Sequence, residues 1–353
     1  MNILGIESSC DETAASVVQD GYYLKGNVVA SSMDIHKLYG GVVPEIAARS
    51  HLEAIMPVID QALERAKCNW DDIDAIAVTY GAGLGGSLLI GVLAARTMAI
   101  VKNKPIIGVN HVEAHIYASF LTKSDDPSYT FPEKQPSFPF LGVIVSGGHT
   151  QLVLFKDHGD YEVLGKTKDD AIGEAFDKVA KILGLPYPGG PAVSELAKQG
   201  DKNALLLPKP YMADYDFSYS GLKTAVLRRA QAEIGESYDF PSIKLASRLS
   251  EAQKANIAAS FEFTAAAMVT EKVKLAWEQY EPTVIVVAGG AAANSELRSQ
   301  LDRLFKIGDK VIFPSIKLCT DNGAMIATLG YYRYKANAIS DPYKLDINSN
   351  LVM

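Results

Sequence analysis

NILGIESSCDETAASVV, residues 2–18, reads as a short apolar strand, a polar turn and a second extended run. FLGVIVSGGHTQLVLF, residues 140–155, repeats that plan, with SGGH as its turn. Each hairpin heads one half of the chain, which predicts an internal duplication. Both turns are made of small polar residues that let backbone N–H groups approach phosphate oxygens.

Between the hairpins strands and helices alternate. Residues 44–66 have helical periodicity, IDAIAVTY (73–80) reads as a strand, and GAGLGG (81–86) is a turn running into a helix. PIIGV (105–109) is another strand, and Asn110 follows as a helix N-cap. Residues 121–139 hold four prolines and no periodicity, which marks a lobe boundary. The second half is helix-rich from 173 to 280, returns to a strand at 283–290, starts a helix near 293 and ends with one inside 322–336. The expected organisation is an N-terminal lobe over 1–120, a linker at 121–139, a second lobe with a helical insertion over 140–320, and a tail, 321–353, that packs back towards the first lobe. Such a chain is α/β, with two similar lobes around a cleft. A duplicated hairpin with a phosphate-type turn in each lobe is the actin-like plan (ASKHA, RNase H-like) of actin, sugar kinases and heat-shock chaperones. A nucleotide would lie in the central cleft, gripped by both turns.

Composition sets outer bounds. At 353 residues the chain exceeds the usual single-core size, and 48% apolar with 21% charged residues is ordinary for a globular protein. The longest apolar run, 87–101, is too short for a membrane span and contains Arg96. The N-terminus meets Glu7 without a basic region, so it does not read as a signal peptide. Cysteines at 10, 68 and 319 form no CxxC, which suits a reducing cytoplasm. A net charge of −7 argues against holding nucleic acid by charge alone and leaves a shape-guided RNA contact open.

VNHVEAHIYA (109–118) sets His111 and His115 four apart, on one face of a helix, where both imidazoles can meet one metal ion. Two polar-face histidines are the equal alternative. Glu113 is roughly 200° around the helix at about 3.6 residues per turn, so HVEAH is not the HExxH of zinc peptidases. A third ligand would come from Asp321 in KLCTDNGAMIA, which otherwise reads as a helix N-cap, or less directly from Asp11. Two histidines and one carboxylate leave coordination positions open.

GAGLGG has the GxGxxG form, but the next strand ends in Val109 and Asn110 without the acid of a dinucleotide site. VSGGHT (145–150) could cradle a phosphate, and the Gly-Gly of VVAGGAAANSELR could support a nucleobase or ribose, with Asn294 as a contact or a plain cap. Asp177 precedes a PGGP turn and could hold ribose hydroxyls, or could pair with Lys181. FSYSGLKTAVLRRA (217–230) is a mildly basic helix entrance: a solvated face, or an RNA or partner contact.

Taken in order, GIESSCDETAASVV, YGGVVPEIAARSH, NKPIIGVNHVEAHI, VSGGHTQLVL, GEAFDKVAKILGLPYPGGP, FSYSGLKTAV, AGGAAANSELR and CTDNGAMIA resemble the bacterial tRNA N6-adenosine threonylcarbamoyltransferase (TsaD) family over nearly the whole chain. The family was formerly described as a sialoglycoprotein endopeptidase. The resemblance implies the actin-like fold and transfer of a threonylcarbamoyl group from L-threonylcarbamoyladenylate (threonylcarbamoyl-AMP) to N6 of adenosine 37. That adenosine lies beside the anticodon of tRNAs reading codons that begin with A; AMP is released and N6-threonylcarbamoyladenosine formed. It implies that His111, His115 and Asp321 bind Fe(2+) or Zn(2+), and that Ile144, Val145, Ser146, Gly147, Gly148, Asp177, Gly190 and Asn294 hold the adenylate. Asp11 or Glu12 is the candidate for proton removal. Implied partners are tRNA, a paralogous subunit (TsaB), a small ATPase (TsaE) and a synthase supplying the donor, in the cytoplasm and without a membrane. The chain departs from the family's GPGLVG turn at Ala82 and Gly85, and carries Lys102 where an apolar or aromatic residue is usual. The alternatives are a small-molecule kinase of the same superfamily, disfavoured by Glu7 in place of Asp, and a scaffold paralogue, which would be expected to lose the histidines and the CTDN segment.

Overall fold

The computed structural model describes residues 1–307 and 309–353. The chain divides into two compact units: 1–137 with 157–160 and 312–353, and 138–156 with 161–311. The proline-rich stretch expected as a linker belongs to unit 1 as far as Ser137, and the chain returns to that unit at Ile312 rather than at 321.

Unit 1 is built on a sheet of six strands: β1 (Asn2–Glu7), β2 (Glu12–Gln19), β3 (Tyr23–Ser31), β4 (Ala75–Gly81), β5 (Ile106–Asn110) and β6 (Lys123–Ser124), in the order β5-β4-β1-β2-β3-β6. β1 and β2 form the predicted antiparallel hairpin, with Gly5 opposite Ser16, and β4 runs parallel to β1. Helices α1 (Met33–Lys37), α2 (Pro44–Arg65), α3 (Gly85–Val101) and α4 (His111–Tyr117) follow in chain order. Leu4, Ile6 and Val17 of the sheet meet Ile59 of α2 and Val92 of α3 in one buried core.

Unit 2 repeats the arrangement with β7 (Phe140–Val145), β8 (Thr150–Asp157), β9 (Asp160–Lys166), β10 (Val284–Ala288) and β11 (Val311–Ile312), in the order β11-β10-β7-β8-β9. Here too the first two strands pair antiparallel, Phe140 opposite Phe155, and β10 lies parallel to β7. The duplication read from the two hairpins thus extends to strand order and to the directions of the pairs about β1 and β7. Between β9 and β10 come α5 (Ile172–Leu183), α6 (Gly189–Ala197), α7 (Ser220–Glu233) and the long α8 (Glu251–Tyr280); α9 (Ser295–Phe305) follows β10. A capping box between Ser250 and Gln253 starts α8, and Glu281 at φ 44° ends it.

The last helix, α10 (Gly323–Lys335), belongs to unit 1 and lies against β1. Its approach depends on missing side chains. A Cβ on Gly5 would stand 2.2 Å from the Gly323 carbonyl oxygen and 2.4 Å from the Ala327 nitrogen, and one on Gly330 would stand 2.4 Å from the Ala77 Cβ. This contact fixes the position of the residues just before α10. Among the described residues, no helix is long and apolar enough to cross a membrane.

Candidate metal centre and nucleotide turns

Helix α4 follows β5 directly, and Asn110 caps it as expected. The Asn110 Oδ1 accepts the N–H groups of Val112 at 2.8 Å and Glu113 at 3.2 Å, while its Nδ2 donates to the Val352 carbonyl at 3.2 Å. His111 and His115 lie one turn apart with ring centroids at 4.7 Å. Glu113 points the other way: its carboxylate is fully buried and takes a 2.6 Å bond from Arg333 on α10. The general-base position of a zinc peptidase is therefore empty of any carboxylate from this helix.

Asp321 stands two residues before the start of α10. Its Oδ1 is 3.6 Å from the His111 Nε2 and 3.5 Å from the His115 Nε2. The competing reading of Asp321 as an N-cap does not hold, because Asn322 does the capping, its Oδ1 accepting the Met325 N–H at 3.0 Å. One ligand atom from each of the three residues lies within 4.8 Å of the others. Metal–nitrogen bonds of about 2.0–2.1 Å put tetrahedral ligand atoms about 3.3 Å apart, so this set is close to coordinating distance as it stands. Two imidazoles and a carboxylate suit a divalent transition metal with open positions. Asp11, the weaker alternative, is not in this set.

Glu7, at the end of β1, supports the site from behind, a role the sequence left unread. The His111 Nδ1 donates to the Glu7 Oε2 at 3.1 Å, with the Ser9 hydroxyl also at 3.1 Å; Thr79 donates to the same Oε2 at 2.6 Å, and the Ser9 N–H to Oε1 at 2.5 Å. Burial pushes the Glu7 carboxyl up, but the His111 charge and these hydrogen bonds outweigh it and hold it at about 2. A carboxylate on Nδ1 fixes the tautomer that turns the Nε2 lone pair towards Asp321. The available signal was a charged residue ending an otherwise apolar strand. Glu7→Gln, measured at pH 9 or above where proton competition has faded, is expected to weaken metal binding about 10- to 100-fold in a chelator competition titration.

Burial lowers the pKa of His111, yet the charges of Asp321 and Glu7 prevail and raise it to about 9 in the metal-free protein. Asp321 is pushed up to about 6 by burial, against the pull of His111. A ligating imidazole must give up its proton, so metal and proton compete below the raised value. Apparent metal affinity is expected to rise about tenfold per pH unit between about 7 and 9 and then level off. Calorimetry in buffers of different ionisation enthalpy should show about one proton released at pH 7.5; release near zero would contradict the assignment.

The turn after β1 differs from its counterpart after β7. Ser8 and Ser9 are buried, and the carbonyls of Ser9, Cys10 and Asp11 accept from the Leu84 N–H, the His51 Nε2 and the Ser32 N–H. These bonds tie the turn to its own unit through its carbonyls. Asp11 and Glu12 are buried near Asp321; in the metal-free protein burial, then Asp321 and Asp11, push Glu12 up to about 10.

The second turn is open. Ile144 and Val145 end β7, Ser146 N–H bonds the His149 carbonyl at 2.8 Å, and Gly147 and Gly148 are exposed, with nothing within 4 Å of where a Cβ would stand. Asp177 on α5 faces the glycine turn, accepting the Gly189 N–H at 2.7 Å. Gly189 is required by packing, since its Cβ would meet the Asp177 Cα at 2.6 Å, whereas Gly190 has open space. Asn294 caps α9 through the Leu297 N–H at 2.8 Å. These residues all belong to unit 2, and Asp11, His111, His115 and Asp321 to unit 1.

Two duplicated sheets of this order define the actin-like fold, and solved structures agree. HypF from T. kodakarensis matches with a TM-score of 0.63 at 15% identity, over 95% of this chain and 48% of that one. The dehydratase activator from Clostridium difficile matches with a TM-score of 0.50 at 14% identity, over 96% and 97%. Sequence comparison is narrower. The family profile of TsaD, tRNA N6-adenosine threonylcarbamoyltransferase, matches residues 24–328. Curated proteins of that name are 46% identical in Thermomicrobium roseum, over 99% of this chain and 96% of the relative, and 47% identical in Symbiobacterium thermophilum, over 98% and 95%. The chain is an actin-like transferase with a two-histidine, one-carboxylate set. It belongs to the TsaD family of tRNA N6-adenosine threonylcarbamoyltransferases.

Proposed function

We propose that the protein moves the threonylcarbamoyl group of L-threonylcarbamoyladenylate to N6 of adenosine 37 in tRNAs reading codons that begin with A. The observation that carries this reading is the His111–His115–Asp321 set with Glu7 behind His111, on a chain of this family. A phosphotransferase of the same fold has no need of it.

An adenine N6 amine is a poor nucleophile, because its lone pair is delocalised into the ring, so it requires an activated donor. In the transfer the N6–carbonyl bond forms, the bond from that carbonyl to the AMP phosphate oxygen breaks, and the N6 proton leaves to a base. Iron or zinc, when bound, would supply Lewis-acid charge and a template for the donor. Glu7 keeps the His111 Nε2 ready as a ligand. Asp11 is the residue proposed to take the proton, with Glu12 beside it as the alternative. In unit 2, the backbone from Ile144 to Gly148, Asp177, Gly190 and the turn capped by Asn294 hold the AMP portion. No Ser-His-Asp arrangement is required, and the transfer is direct.

Proposed partners are a paralogous subunit, a small ATPase and a donor-forming synthase, in the cytoplasm. Support for a protein partner comes from α2 and α3, which pack together and expose Leu52, Met56, Leu89 and Leu93 at 41–66%. The test is a reconstituted assay with these partners, unmodified tRNA, threonine, bicarbonate and ATP, read by mass spectrometry of digested tRNA. Threonylcarbamoyladenosine should form with the native chain. None, with the donor demonstrably present, would overturn the reading.

A further inference from the structure

Glu262 lies on α8 within an Ala-rich buried stretch and is 7% exposed. Ser194 donates to its Oε1 at 2.6 Å; the Asn294 Nδ2 donates to the same oxygen at 2.7 Å and to the Ser194 Oγ at 3.0 Å. With its Oδ1 on the Leu297 N–H, the Asn294 amide has both hydrogens and its oxygen committed inside the unit. A ligand contact through that amide would break bonds already made. The bonds to Glu262 converge on Oε1. Among the described residues Oε2 takes none, and unlike the sealed Tyr219 hydroxyl it keeps solvent access. Ser194 stands one helical turn from Gly190, on the same face of α6, so the Ser194–Glu262 pair lies on the side of α6 that carries the open glycine.

We propose that Glu262 is itself a nucleotide contact: its Oε2 accepts a ribose hydroxyl of the adenylate, and Ser194 and Asn294 are positioning residues that hold the carboxylate. This rests on the reading of unit 2 as the half that holds the nucleotide. An ionised carboxylate is acceptor-only and suits a hydroxyl donor. Burial raises the Glu262 pKa, which the Ser194 and Asn294 bonds oppose, so the network helps keep it charged.

The test measures binding of AMP, 2′-deoxy-AMP and 3′-deoxy-AMP to the full chain by calorimetry. Glu262→Gln keeps the shape and should weaken AMP about 10- to 100-fold, as loss of a hydrogen bond to a charged group implies. The deoxy analogue lacking the bound hydroxyl should be weak already and insensitive to the substitution, which also shows that the variant is folded. Ser194→Ala should weaken AMP and the analogue that keeps the bound hydroxyl, more modestly, and raise KM for the donor with kcat kept. Equal weakening of all three nucleotides, or no change in any, would overturn the proposal while leaving the nucleotide reading in place. Failure of the native chain to bind AMP would overturn both.

Discussion

Asp321→Ala is expected to abolish tight metal binding while leaving the fold intact. Asp321 supplies the only carboxylate of the candidate set, at 3.5 and 3.6 Å from the two imidazole Nε2 atoms. Losing a direct ligand should exceed the effect of losing a supporting one, so affinity for iron or zinc should fall by about 100-fold or more, and threonylcarbamoyl transfer with it. Had Asp321 been a helix cap, the same change would cost about 1 kcal/mol and fray α10. Asn322 performs that task, so far-UV circular dichroism and the melting temperature of the metal-free protein should hardly move. Elemental analysis after metal loading, run beside calorimetric melting, separates the two. Full metal retention would remove Asp321 from the site; a melting temperature lowered by about 2–4 °C with a frayed α10 would restore the capping reading.

Gly5→Ala, far from any ligand in the sequence, should be among the most damaging single methyls in unit 1. The added Cβ meets backbone on both near sides, the Gly323 carbonyl oxygen at 2.2 Å and the Ala327 nitrogen at 2.4 Å, and backbone cannot turn aside as a flexible side chain can. Helix α10 must move off the sheet. The cost is about 3 kcal/mol or more, at the upper end for overpacking. Because Asp321 adjoins the Asn322 cap of this helix, the shift also carries it away from His111 and His115, so loss of stability and loss of metal should appear together. Denaturant unfolding and metal content measure both. Wild-type stability with full metal content would contradict the packing described.

The two predictions divide along what each residue could reveal by itself. The histidine pair was legible because helical periodicity is local: four residues apart means one face, and Glu113 two residues on means another. The duplicated hairpins were legible for the same reason, since alternating apolar residues and small polar turns are short-range patterns. Gly5 was a weaker sign: a glycine inside a strand marks a close backbone approach without saying to what. β3 and β9 were harder to see, because glycine and charged residues dilute the alternation of YLKGNVVAS and DYEVLGK.

Other features depend on residues that meet only in the folded chain. Whether Asp321 caps a helix or faces two imidazoles is decided by Asn322 and by α10 packing on β1, across most of the sequence. Glu7 ends a strand in sequence and becomes the partner of His111 only when β1 and α4 are brought together. The two turns look alike as strings, yet Ser8 and Ser9 of one are buried while Gly147 and Gly148 of the other are exposed, because burial depends on which elements cover a turn. Asn294 likewise reads as a contact or a plain cap, and Glu262 carries no signal in the sequence, until α6, α8 and α9 bring Ser194, Glu262 and Asn294 together. Periodicity and turn chemistry, being local, determined the duplicated fold and the histidine face from sequence alone. Long-range packing decided which carboxylates reach which histidines and which backbone stays open.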